Sequence, residues 1–167
     1  LLYKKGILKD AFKKYTSYDV EALPIQNVIA SPLTKGYKQV VSLPITYFKG
    51  KVGVGVYQRE SKYLTLMNQC QMHDPLINQI IGKIEIILNA NKARDYNDKV
   101  KKGLRFLQIK HIGASVQVLF GTGNDGISEN VVKEISQIEE VKSIYYTINT
   151  SRYQDFELQG YKKIYGQ

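Results

Sequence analysis

An alternation of period two constrains this chain more than any other feature in it. Val41, Leu43, Ile45 and Tyr47 alternate with polar or small residues, Gly50 interrupts, and Val52, Val54 and Val56 resume the pattern with Gly53 and Gly55 between them. Successive side chains of a strand point to opposite faces, so the pattern describes strands with one buried face. Residues 37–48 and 52–59 are predicted to form a β-hairpin around Gly50. Pro44 has no N–H to give to a ladder, so its strand is expected to be an edge or to be bulged there. Residues 63–67 (Tyr63 to Met67) are expected to add a third strand.

Strands with one apolar face need cover, and helical periodicity supplies it. Residues 6–16 place Ile7, Leu8, Ala11, Phe12 and Tyr15 on one side, with Lys9, Lys13 and Lys14 mostly opposite. Asp74-Pro75 is a helix start, with Asp as N-cap and Pro at the first helical position. From there to about Asn89, Leu76, Ile77, Ile80, Ile81, Ile84, Ile87 and Leu88 make a broad apolar face. Ser128 is expected to cap a third helix that turns Val131, Val132, Ile135 and Ile138 inward. Leu23 to Ala30 reads as extended, because Pro24 restricts Leu23 to the β region, and the polar stretch from Asn91 to Gly103 reads as loop. Leu104–His111 and Ala114–Phe120 are predicted to pair around Ile112-Gly113. Val141–Ile148 reads as a strand, and Phe156–Leu158 with Lys162–Tyr165 as a last short hairpin around Gln159-Gly160. The class is α+β: a mostly antiparallel sheet from successive hairpins with three helices packed on it. The whole chain, 1–167, reads as one region with possible sub-units 1–72 and 73–167.

Composition narrows the function classes. Hydrophobic residues make up 43% of 167 residues, enough for a core. No apolar run approaches the ~18 residues needed to span a bilayer, so no membrane role is expected. The opening Leu1-Leu2-Tyr3-Lys4-Lys5-Gly6 is not a signal peptide, and without an initiator Met the chain is expected to begin inside a longer protein. A single cysteine, Cys70, excludes an internal disulfide and fits a cytoplasmic location. The net charge of +9, from 24 Lys and Arg against 15 Asp and Glu, favours polyanionic partners through phosphate contacts and counterion release.

The chemistry-bearing motifs are few. Gly121-Thr122-Gly123-Asn124-Asp125-Gly126 is a G-x-G-x-x-G between a predicted strand and helix, the context of a dinucleotide site. Against that reading, the preceding strand pairs most simply as the second arm of an antiparallel hairpin, and the third glycine precedes the Ser128 cap. A flexible glycine loop is the expectation. Cys70 has His73 three residues away but no wider cluster. A zinc or iron–sulfur site needs about four ligands, and the chain has one Cys and two His, so a plain thiol is the simplest reading. His111, on a strand beside a turn, shows no carboxylate partner in the sequence, and Glu139 and Glu140 read as solvated. No catalytic carboxylate pair or Ser–His pattern is present. Basic and aromatic residues interleave on the strands instead: Tyr37 and Lys38; Tyr57, Arg59 and Lys62; Arg105, Phe106, Lys110 and His111. Such residues suit phosphate contact and base stacking.

Ordered blocks of the same residues resemble the RNA uracil-5-methyltransferase family, especially the Gram-positive type that acts on 23S ribosomal RNA. Leu23-Pro24-Ile25-Gln26-Asn27-Val28-Ile29 is similar to the segment leading into the family's Tyr-Arg-Asn-Lys motif, whose place Tyr37-Lys38-Gln39-Val40 occupies. Gly55-Val56-Tyr57-Gln58-Arg59-Glu60-Ser61-Lys62 resembles Gly-Phe-Tyr-x-Arg-x-Ser-His, followed at Cys70 by an isolated cysteine. Gly103-Leu104-Arg105-Phe106-Leu107-Gln108-Ile109-Lys110 resembles the Leu-Arg-His-Leu-x-Val-Arg strand. Val141-Lys142-Ser143-Ile144, Ile148-Asn149, Gly160 and Tyr165-Gly166-Gln167 fit the stretch before the methyltransferase core.

The resemblance covers about the whole chain and implies a central α+β region that holds RNA, ribosomal RNA or tRNA, within a cytoplasmic enzyme of RNA methylation that forms 5-methyluridine. It implies S-adenosylmethionine as methyl donor, bound by a domain that follows this chain, with a TRAM-like domain also outside it. Family chemistry uses a cysteine to attack C6 of uracil and a base to remove the C5 proton. Those motifs are expected after residue 167, so no catalytic residue is assigned here and this chain alone is expected to be inactive. Tyr37, Lys38, Tyr57, Arg59, Lys62, Arg105 and Lys110 are the implied RNA contacts. Cys70 matches the fourth ligand of the 4Fe-4S cluster of many family members, whose other three cysteines would precede residue 1. Departures weaken the grip: Lys38, Gln39 and Val40 stand for Arg, Asn and Lys, Lys62 for His and Phe106 for His, and Lys in place of Arg loses bidentate geometry. A non-catalytic RNA-binding module from a decayed paralogue is the alternative, and a cofactor-binding domain built on the 121–126 loop is a third.

Overall fold

The computed structural model describes residues 2–61, 64–151 and 160–166. It divides into two compact units, 1–34 and 35–167. The first contains helix α1 (Leu2–Tyr15), which has no buried residue. Its chain then turns back on local bonds: Lys9 Nζ lies 2.7 Å and Lys13 Nζ 3.7 Å from Glu21 carboxylate oxygens. The segment expected to be extended is irregular, with Ile25 N–H donating to Leu23 C=O in a three-residue turn about Pro24.

The second unit is a sheet of strands β1 (Val40–Phe48), β2 (Lys51–Tyr57), β3 (Leu64–Leu66), β4 (Leu104–Ile112), β5 (Ser115–Thr122), β6 (Val141–Ile148) and β7 (Lys162–Gly166), in the order β3-β2-β1-β4-β5-β6-β7. Helix α2 (Pro75–Ala90) lies between β3 and β4 in the chain, and α3 (Glu129–Ser136) between β5 and β6. All neighbouring pairs are antiparallel except β5–β6, which is parallel. The α+β class with three helices and a mostly antiparallel sheet is therefore as the periodicity predicts.

The first hairpin closes on Lys49 and Gly50, both at positive φ (49° and 84°), which is the backbone of a two-residue turn matched to strand twist. Pro44 behaves differently from expectation. β1 is interior in the strand order, yet it changes partners at the proline: Val40–Pro44 pair with β4, and Ile45–Phe48 with β2. Beyond that handover Asp95 replaces β4, its Oδ2 accepting from Tyr47 N–H at 3.0 Å and from Thr46 Oγ1 at 3.3 Å. The missing proline N–H thus falls where the ladder changes hands.

The core lies on one face of the sheet. Val41, Leu43, Ile45, Leu107, Ile109, Val118, Phe120 and Ile144 meet Ile77, Ile80, Ile81, Ile84 and Leu88 of α2, and Val131 and Ile135 of α3. The α2 start is built as its sequence predicts: Asp74 Oδ1 accepts from Leu76 N–H at 2.9 Å, with Pro75 at the first turn. Ser128 occupies the N-cap of α3, but its side chain makes no capping bond. α2 also closes a sheet edge. Asn89 accepts from Val52 N–H and donates to Val52 C=O, both at 2.8 Å, and Glu85 Oε1 accepts from Val54 N–H at 2.8 Å. The Asn89 amide takes the place of a neighbouring strand, which is one way an edge is kept from pairing elsewhere.

β7 pairs with β6. Its expected hairpin partner, Phe156–Leu158, and the expected strand residue Tyr63 lie outside the described residues.

Candidate nucleic-acid interface

Register assigns each residue of the sheet's other face, which neither α2 nor α3 covers. One row across it is Val40, Lys110, Gln117 and Ser143; the next is Ser42, Gln108, Leu119, Tyr145 and Lys163. Neither row contains a carboxylate, and both mix amides, hydroxyls and lysines. A strand face with rings and cations is a surface on which bases can stack and phosphates can be met. Gln108 Nε2 donates to Ser42 Oγ at 2.9 Å, which holds that side chain along the surface.

Of the residues expected to grip RNA, Lys110 stands on this face. Tyr37 and Lys38 stand beside its end, on the segment entering β1. Lys38 N–H donates to Met72 C=O and Lys38 C=O accepts from Asp74 N–H, both at 2.9 Å, and His111 N–H donates to Gln39 C=O at 2.8 Å. Those backbone bonds fix the segment while the Lys38 side chain stays exposed. The Tyr37 ring is half exposed, with its hydroxyl 3.4 Å from Met72 Sδ. Tyr57 and Arg59 sit apart, at the end of β2 and in the turn after it. The Arg59 side chain is 94% exposed and 3.4 Å from Glu60 Oε1, a surface pair that constrains it little. Lys62 lies outside the described residues.

Arg105 is turned toward the protein. The β4–β5 register shifts between Leu104 and Phe106, and this bulge re-aims the intervening side chain. Its Nη1 donates to Asn149 C=O (3.0 Å), Asn149 Oδ1 (2.8 Å) and Ser151 C=O (2.7 Å), and its guanidinium lies over the Tyr96 ring at 5.0 Å. Across the same irregularity, Phe106 lies against Gly121, where any side chain would overlap the ring.

Two titratable clusters flank the α2 start. His111 does have a carboxylate partner that sequence reading did not find: its Nδ1 is 3.2 Å from Asp74 Oδ2, although the orientation is too bent for a hydrogen bond. His73 is buried, with Nδ1 3.2 Å from Asn78 Oδ1. Burial holds its pKa below the ordinary histidine value, helped by the Lys38 charge and opposed by hydrogen bonds to Asn78 and the Met67 carbonyl. Cys70 is half-buried just before it, and its carbonyl accepts from Asn78 Nδ2 at 3.0 Å. Among the described residues no group of three or more His, Cys, Asp or Glu is placed to hold a metal. Cys70 therefore offers one thiolate of the four an iron–sulfur cluster needs, and these residues by themselves do not fit the group.

The glycine loop is held rather than loose. β5 pairs with β6 in parallel as well as with β4, so residues 121–126 connect the strand and helix of a β-α-β unit, which the simple hairpin reading misses. Yet Gly123 N–H donates to Gly103 C=O (2.7 Å), Asn124 N–H to Lys101 C=O (2.8 Å), and Asp125 Oδ1 accepts from Gly103 N–H (2.9 Å). A side chain at Gly123 would collide with the Lys101–Lys102 backbone. Two amides of the loop, those of Gly123 and Asn124, are thus taken by the neighbouring loop instead of facing a phosphate.

The sheet thus carries α2 and α3 on one face and, among the described residues, rows of amides, hydroxyls and lysines without a carboxylate on the other. No family model matches the chain. It is similar to proteins named as RNA methyltransferases. It is 28% identical over 159 residues to an uncharacterized RNA methyltransferase of Fusobacterium nucleatum, covering 91% of this chain and 34% of that protein. It is 26% identical over 170 residues to one of Streptococcus agalactiae, covering 100% of this chain and 38% of that protein. The fold is similar to part of the Pyrococcus abyssi tRNA (uracil-54, C5)-methyltransferase, solved in complex with S-adenosyl-L-homocysteine, with a TM-score of 0.62 and 19% identity over 82% of this chain and 33% of that one. The chain therefore spans about a third of the length of the relatives it matches.

Proposed function

We propose that this chain is the RNA-holding region of an S-adenosylmethionine-dependent RNA methyltransferase that forms 5-methyluridine in ribosomal RNA or tRNA. It contributes binding, and another part of the protein binds the methyl donor and carries the chemistry. The observation that supports this most is the pair of strand rows carrying Lys110, which among the described residues hold no carboxylate, in a chain of net charge +9 whose relatives are named as RNA methyltransferases. Lys38, Lys110 and Arg59 are the proposed phosphate contacts, with Lys62 a fourth by sequence, and Tyr37 and Tyr57 the proposed flanking rings. Arg105 serves the same face indirectly, by anchoring Asn149 and Ser151 to the β4 bulge.

The test is charge removal. Replacing Lys38, Arg59 and Lys110 with Ala is expected to weaken RNA binding and to flatten the dependence of log affinity on log salt. On a single strand the slope should fall by roughly 0.7 for each phosphate that the variant no longer neutralises. Unchanged affinity and slope in the triple variant would remove these residues from the interface.

A further inference from the structure

On the open face one small concavity is bounded by Gln108, Lys110, Gln117, Leu119, Tyr145 and Tyr161, with a volume of about 190 Å³. We propose that it receives a single unpaired base of an RNA strand. The proposal deepens the RNA-holding reading and rests on it.

The dimensions and chemistry agree. A space of this order is suited to one flat ring system. Leu119 and Tyr145 are register partners on β5 and β6, so an apolar branch and an aromatic ring stand side by side as the floor. Gln117, two residues before Leu119 on β5, diagonal to Tyr145 and opposite Lys110, makes no hydrogen bond among the described residues, which leaves both its amide N–H and its C=O for the edge of a base. The Gln108 amide is already oriented by Ser42. Lys110 at one side and Lys163, the register partner of Tyr145, at the other place cations where the phosphates before and after a seated base would run. The occupant is a nucleotide of a single strand, because bases within a duplex keep their faces stacked and out of reach of such a floor. The lining offers stacking, amide and cationic contacts, so the proposed role is to hold.

The 167-residue chain is titrated with a fluorescent single-stranded RNA, and with the same RNA annealed to its complement, across a salt series. Tyr145→Ala is expected to weaken single-strand binding roughly 5- to 150-fold, the range for one base–aromatic stack, with the salt slope unchanged. Gln117→Ala should weaken it less, Tyr145→Phe should bind as wild type, and Lys110→Ala should flatten the slope. Duplex binding should not respond to Tyr145→Ala. Denaturant midpoints identify any variant that fails to fold; if Tyr145→Ala does, Gln117→Ala, expected to weaken single-strand and not duplex binding, carries the test. Single-strand affinity unmoved by Tyr145→Ala and Gln117→Ala, with Lys38→Ala and Lys110→Ala still weakening it, would overturn the base site and leave the RNA reading standing. No binding of any RNA by the wild-type chain at low salt would overturn both.

Discussion

A cation's role depends on what it touches, and Arg105 and Lys110 make the point on one strand. Both are basic residues in a strand that resembles an RNA-contacting segment, and sequence alone treats them alike. The bulge at residue 105 sends that guanidinium to carbonyls more than forty positions away, whereas Lys110 stays on the open face. Hydrogen bonds to a charged, partly buried donor contribute about 1.5–3 kcal/mol, and removing it strands acceptors as well. Arg105→Ala should therefore lower unfolding stability by about 2–3 kcal/mol, read as a shift in the urea midpoint, while leaving the salt slope of RNA binding unchanged. A flattened slope with an unmoved midpoint would reassign Arg105 to phosphate. His73 supplies a second prediction. Its folded pKa lies below the unfolded one, so stability is whole above the unfolded value of about 6.5 and is lost as pH falls below it toward the folded value. Stability measured from pH 8 to about pH 5 should drop more steeply for the wild type than for His73→Gln. Parallel curves would mean the histidine charges in place at no cost.

At the scale of elements, much of the sheet was legible because its signals are local. Period-two alternation with Gly50, the Asp74-Pro75 start and the broad isoleucine face of α2 locate their elements, and Val141–Ile148 falls on β6 as expected. What was not legible is partner choice. Alternation is the same for parallel and antiparallel neighbours, so the parallel β5–β6 pair and the embedded β-α-β unit leave no period of their own. The handover of β1 at Pro44 likewise depends on Asp95, far along the chain. The face bearing Gln108, Gln117 and Tyr145 was missed because neutral residues announce no function until register puts them side by side. Asn89 belongs here too: as a side-chain substitute for a strand it satisfies both backbone groups of Val52. Asn89→Ala should destabilise the unit by about 2 kcal/mol, from two partly buried groups left without partners. Amide exchange at Val52 should accelerate with it; unchanged exchange there would show that water replaces the amide without penalty.

At the scale of the whole molecule, the folded unit 35–167 separates two duties between the two faces of one sheet. One face is packed against α2 and α3 and supplies the core, and the described rows of the other carry rings, amides and lysines and no carboxylate. The glycine loop that most suggests a cofactor has the Gly123 and Asn124 amides occupied by the 101–103 loop. Holding RNA while another part of the protein binds the methyl donor is the division of labour we propose. It agrees with a chain that spans about a third of relatives named as RNA methyltransferases. The most direct test is to measure the affinity of this chain for ribosomal RNA segments and tRNA across a salt titration, with S-adenosylmethionine titrated in parallel by calorimetry. RNA binding that weakens linearly in log salt, with no heat from S-adenosylmethionine, is the predicted result; absence of RNA binding at low salt, or saturable binding of the methyl donor, would contradict it.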